Sequence, residues 1–206
     1  MVRMRLASTL LTLGLLAAAQ DRLPPIPPDH MTDAQKKAAA EYKDLRKAEL
    51  TGPPWSVILR SPEWVVPALE MRLHVQQHPV LGNKLTEFAI LIAAREWTNN
   101  YEWNAHAPAA ARAGLGPELV AAVASGRRPD RMSEDEQLVY DFCAELLHNK
   151  SVSDATYART LAKFGEPGVV ELANLEGYYI YLSMVMNTAR SPLPRDAKPP
   201  LERFPN

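Results

Sequence analysis

The stretch EFAILIAAREWTNNYEWNAHAPAAARAGL, residues 87–115, reads as two helices joined by a short turn. Leu85, Phe88, Ala89 and Ile92 recur at the spacing of one helix face, which predicts a helix over about Lys84 to Trp97. A second runs from about Asn99 to Ala113 and stops at Gly114, where a left-handed residue ends a helix without strain. The same pattern repeats outward. Thr32 or Asp33 caps a helix reaching about Leu50, ahead of the breaker Gly52-Pro53-Pro54. Ser61 followed by Pro62 opens another, which His78-Pro79 ends. Pro117 opens a short helix that ends at Gly126. Ser133-Glu134-Asp135-Glu136 is a capping box for a helix with Leu138, Phe142 and Leu146 inward, and Val139 and Cys143 beside them. Ser153 caps a helix ending near Gly165, and a last one spans about Pro167 to Arg190, carrying Val170, Leu172, Leu175, Tyr178, Tyr179, Leu182 and Val185. No alternating β-branched run of strand length occurs. The expected fold is an all-α, compact bundle of seven to eight helices.

Composition fits one such domain. The chain has 206 residues, 47 % of them hydrophobic, with 23 Lys+Arg against 24 Asp+Glu. A net charge of −1 gives no electrostatic footprint for nucleic acid or an anionic membrane. One Cys rules out an internal disulfide, a CxxC pair and a multi-Cys zinc site. Residues 1–19, MVRMRLASTLLTLGLLAAA, have the basic start, short apolar run and small-residue end of a signal peptide, so export to the periplasm is expected. The alternative is a retained N-terminal helix. Residues 20–32 form a Pro-rich lead-in, 33–190 the helical domain, and 191–206 a Pro-rich tail. Segments of this kind lie along a surface or a neighbouring subunit, because proline does not enter helix interiors.

Chemistry concentrates at Glu87, Glu102 and His106. Glu87 sits in an otherwise apolar helix, and Glu102 and His106 are four residues apart, hence neighbours on one helix face. Ala109, Ala110 and Ala113 continue that stripe without bulk. A carboxylate beside an imidazole is the equipment of proton transfer near neutral pH. An exposed i,i+4 pair of no functional consequence has the same spacing, and both readings stand at this point. Pro108 removes one helical hydrogen bond and predicts a kink after His106.

The segment resembles the carboxymuconolactone decarboxylase family, relatives of the alkylhydroperoxidase D group. The peroxidase branch carries E-x11-C-x2-C-x3-H. Here the same register holds Glu87, Asn99, Glu102 and His106, so the acid and the histidine match and both cysteines are replaced. YEWNAHAPAAARAGL is similar to the cysteine-free branch, and the similarity extends over roughly residues 35–190, through GYYIYLSMVMNTAR. The resemblance implies an alkylhydroperoxidase-D-like bundle assembled as a trimer or hexamer. It also implies a lyase or isomerase that handles a small lactone-like or carboxylated compound by acid/base chemistry, without metal or organic cofactor. His106 would move the proton, Glu102 orient it and Glu87 act as a second acid/base. Asn99 would hydrogen-bond the substrate, and Trp97, Tyr101 and Trp103 would shape the wall. Arg95 and Arg112 are the cations nearest in sequence for a developing anion. A thiol-peroxidase cycle needs two thiols, and Cys143 is alone. A binding protein of the same fold without turnover is the competing reading.

Two further signals remain. Glu70, His74 and His78 share a helix stripe and could present metal ligands, although a solvated face looks the same. Tyr178, Tyr179 and Tyr181, with Met184 and Met186, have the composition of an aromatic pocket lining as well as of core packing.

Overall fold

The computed structural model describes residues 21–194, 197–198 and 200–202, so the expected signal peptide at 1–19 lies outside the described residues. Those residues contain eight α-helices and no strand: α1 Asp33–Arg46, α2 Trp55–Ile58, α3 Val65–Gln77, α4 Asn83–Glu96, α5 Asn100–Arg112, α6 Pro117–Ala124, α7 Glu134–Asn149 and α8 Asp154–Ala189. None of the described helices is long and apolar enough to cross a membrane.

At the centre stands α4. Its residues from Leu85 to Arg95 are buried, Glu87 alone being partly exposed, and the helix packs against α5, α6, α7 and α8. An apolar helix surrounded on all sides loses the one-sided pattern expected of a surface helix, and its neighbours supply the amphipathic faces. From α7, Leu138, Val139, Phe142, Cys143 and Leu147 pack inward; from α8, Leu172, Leu175, Tyr178, Tyr179 and Leu182 do so. Val170 instead faces solvent at 56 % exposure. The α8 Tyr178 hydroxyl donates to the Ala68 carbonyl of α3 at 3.0 Å, tying the two helices.

Caps explain most boundaries. Thr32 and Ser133 each form a full capping box, with Gln35 and Glu136 respectively, and Ser153 caps α8. Two expectations are revised. The first helix stops at Arg46, because Lys47 adopts the left-handed conformation and its N–H bonds the Lys43 carbonyl. Ser61 makes no side-chain cap; Pro62–Trp64 is a 3-10 turn leading into α3. Pro108 lies inside α5. The α2 turn was not anticipated, since it follows directly on a proline pair, yet all four of its residues are buried.

Both proline-rich arms lie on the chain's own body where they are described. The Arg22 N–H bonds the Ala189 carbonyl at 2.8 Å, and the Pro24 carbonyl accepts from Arg60. In the tail, Leu201 is buried, its N–H donates to Asn100 Oδ1 at 2.7 Å, and the Glu202 carbonyl accepts from Arg95 at 2.6 Å.

One glycine sets the course of α8. Gly165 holds φ 67° and ψ 179°, a region open essentially to glycine, and divides the helix where the sequence placed a boundary. Gly177, further along, is helical and has open space where a Cβ would sit. Gly165→Ala should therefore cost about 1–3 kcal/mol, and Gly177→Ala should gain about 0.5–1 kcal/mol. Denaturant unfolding of the two variants checks the opposite signs.

Candidate functional site

The turn between α4 and α5 brings the titratable groups together. Thr98 takes a left-handed conformation at φ 46°, and Asn99 caps α5 by accepting from the N–H groups of Tyr101 and Glu102. The Asn99 amide donates to Ser183 on α8 at 3.0 Å, and Asn187 on α8 donates to the Trp97 carbonyl at 2.8 Å. Folded back this way, α5 lies along α4, and His106 meets Glu87 across the interface.

His106 sits between two carboxylates. Its Nδ1 is 2.8 Å from Glu87 Oε2, and its Nε2 is 3.3 Å from Glu102 Oε2. The residue is 8 % exposed and Glu102 3 %, whereas the Glu87 side chain keeps 20 % of its surface open. Burial opposes a charged ring, but the hydrogen bonds and charges of Glu102 and Glu87 outweigh it, and the His106 pKa is pushed up to about 9. At neutral pH the ring is an imidazolium, hydrogen-bonded through Nδ1 to Glu87 and in ion-pair contact through Nε2 with Glu102.

A cavity of about 360 Å3 opens beside this trio, between α3, α4, α5 and α8. Glu87 and His106 form part of its wall, and Ala109 and Ala113, whose missing bulk the sequence had shown, leave the space. Val75, Gln76, Asn83 and Ile90 add further wall, and Thr86, Arg112 and Tyr179 complete it. The Tyr179 ring packs edge-on against His106, with centroids 5.1 Å apart.

The other sequence candidates separate. Glu102 stands behind His106, in contact with it but outside the cavity wall. Trp97, Tyr101 and Trp103 do not line the cavity: Trp97 ends α4 and is 37 % exposed, Trp103 is core, and Tyr101 packs against the core. The Asn99 side chain is spent on its cap and on Ser183, and so is a structural group rather than a substrate contact. Of the two cations, Arg112 reaches the cavity, while Arg95 is buried elsewhere against the tail. His74 is 3.8 Å from Glu171 of α8 and lies with its ring tilted beside that of His78, and Glu70 remains exposed; the described residues contain no cluster of three His, Cys, Asp or Glu suited to a metal ion. Thr86, Gln76 and Asn83 escaped the sequence reading, since nothing in their spacing marks them.

Another buried acid lies away from the cavity. Glu176 of α8 is 1 % exposed beside Cys143 of α7, and burial pushes its pKa up to about 8. Burial, reinforced by Glu176, holds the Cys143 thiol well above its ordinary value, so no thiolate is available there.

The chain matches no protein-family model, no characterised protein and no solved structure at a significant level.

Both raised groups make stability depend on pH. A group whose pKa is higher folded than unfolded contributes fully below the unfolded value, and the contribution is lost as pH rises through the folded one. For Glu176 that window runs from its ordinary 4.5 to about 8, and for His106 from 6.5 to about 9. Stability should fall continuously from about pH 5 to 9, by roughly 3 kcal/mol from His106 alone. Glu176→Gln should flatten the part below pH 6.5 and leave the His106 part. Urea unfolding at a series of pH values reads both.

Proposed function

We propose that this chain is a cofactor-free acid/base catalyst, a lyase or isomerase acting on a small lactone-like or carboxylated compound, in the manner implied by its resemblance to the carboxymuconolactone decarboxylase family. The observation that carries the reading is the His106 imidazolium clamped between Glu87 and Glu102 at the wall of a small cavity. Its fold would be the alkylhydroperoxidase-D-like bundle, exported and assembled as a homotrimer or hexamer. Exposed Trp64, packed on Tyr181 and 60 % open, is the kind of surface such an assembly covers.

The geometry modifies the roles inferred from sequence. With both nitrogens of His106 engaged, the group that meets a substrate is Glu87, the partly open carboxylate on the cavity side. In isomerisation of an unsaturated substrate, Glu87 takes a proton from the carbon between the carbonyl and a C–C double bond, the C–H electron pair passes into the carbonyl as a dienolate, and the proton returns two carbons away at the far end of the double bond, which moves into conjugation. In decarboxylation, the electron pair of the breaking C–C bond forms the enolate, carbon dioxide leaves, and a proton delivered from the Glu87–His106 pair completes the product. His106 holds a positive charge next to Glu87 at rest and can pass it a proton through the 2.8 Å contact, becoming neutral until a proton returns. Arg112 at the cavity offers a cation to an anionic substituent of the substrate.

One feature favours the competing, non-catalytic reading: no ring nitrogen of His106 is left to touch a ligand directly. Turnover separates the two. In a panel of small lactones and carboxylates, the wild type should consume at least one compound. Glu87→Gln should lower kcat/KM by about 10²–10⁴-fold, the usual weight of a general base. Unchanged turnover in Glu87→Gln contradicts the assignment, and binding without consumption by the wild type supports the binder.

A further inference from the structure

We propose that the outer face of α8 pairs antiparallel with the same face of a second copy of this chain, across a twofold axis at Gly177. The contact is independent of the chemistry at the cavity. Among the assemblies proposed above it selects an even-numbered one, because a lone ring of three subunits has no twofold.

A helix on the surface of a soluble protein ordinarily turns charged residues toward water. From Pro167 to Ala189, α8 has only two, Glu171 and Glu176, and both are buried. Its solvent side is instead Val170, Ala173, Asn174, Gly177, Met184 and Thr188, with Tyr181 half-buried among them. Val170 is 56 % exposed and Met184 43 %, and Trp64, at 60 %, packs beside Tyr181 with ring centroids 6.3 Å apart. From Val170 to Thr188 the strip is about 27 Å long at the rise of a helix. Aromatic rings and methionine without charge are the composition of an interface core, not of a wetted face.

The order of residues along the strip says which partner fits it. Helix residues three, four and seven apart share a face. Gly177 therefore has Ala173 and Tyr181 four residues to either side, and Val170 and Met184 seven. Reversing a second α8 about Gly177 sets Val170 level with Met184 of the second copy, and Ala173 level with its Tyr181. In each pair a larger side chain meets a smaller one. At the centre, open space surrounds the place where a Gly177 Cβ would sit, so the two backbones can approach closely.

The ends of the strip match in charge. Exposed Glu166 lies eleven residues before Gly177, and Thr188 eleven after it. The guanidinium of exposed Arg22 is bonded to the Thr188 carbonyl at 3.3 Å. Antiparallel pairing brings Glu166 of each copy to the Arg22 end of the other. Parallel pairing sets Glu166 beside Glu166 and Arg22 beside Arg22, and like charge opposes it.

Sedimentation velocity of the full-length protein at micromolar concentration tests this, with charges placed at two exposed positions. The wild type should sediment as an even multiple of the chain. Val170→Glu and Met184→Lys should each weaken the association at least about tenfold, since each sets a charge against an apolar side chain twice across the axis. Within one chain the two positions are about 21 Å apart along the helix, too far to pair. Between copies they face each other, so the variant carrying both should recover the wild-type mass. Recovery also shows that neither change harms the fold. A monomeric or purely trimeric wild type, single variants of unchanged mass, or a double variant as dissociated as the singles overturns the proposal.

Discussion

A buried imidazole holds a positive charge only where opposite charge outweighs its lost hydration, and His106 meets that condition through two carboxylates on two helices. Glu102 comes from its own helix one turn earlier, while Glu87 comes from α4. Each charge is tolerable because of the others. Removing one partner of such a buried set typically costs about 3–5 kcal/mol, since the remaining charge is stranded. The trio therefore joins the α4–α5 hairpin electrostatically at the point where the cavity begins. The catalytic reading and the stability of the hairpin are two consequences of one contact.

That contact needs α4 and α5 in a fixed register. The Asn99 cap, its bond to Ser183 and the Asn187 bond to Trp97 pin the turn to α8. Burial of α4 on nearly all sides leaves it little freedom to rotate, so Glu87 can emerge only into the space that Ala109 and Ala113 leave open. The Leu201 and Glu202 contacts hold the start of α5 and the end of α4 from the outside. Sequence thus acts through packing first, and through charge second.

Much of this was legible before any coordinates. The i,i+4 pair and the acid in an apolar helix single out Glu87, Glu102 and His106 as candidates, the family-like register groups them, and the capping boxes and Gly165 mark their boundaries. The walls were misread for a physical reason. Successive helix residues point about 100° apart, so Trp97, Tyr101 and Trp103, adjacent in sequence to the trio, face elsewhere, and Asn99 is consumed in capping. The real walls, Gln76 of α3 and Tyr179 of α8, come from far along the chain and carry no local signal. Likewise Lys47 and Thr98 are left-handed without being glycine, which hid the end of α1 and the shape of the α4–α5 turn.

The central claim is the charge state of His106, and nitrogen-15 NMR of histidine-labelled protein reads it directly. The account predicts a His106 ring protonated on both nitrogens at pH 7, titrating near 9, with the Nδ1 proton in a hydrogen bond to Glu87. A neutral tautomer at pH 7, with one nitrogen bare, would contradict it.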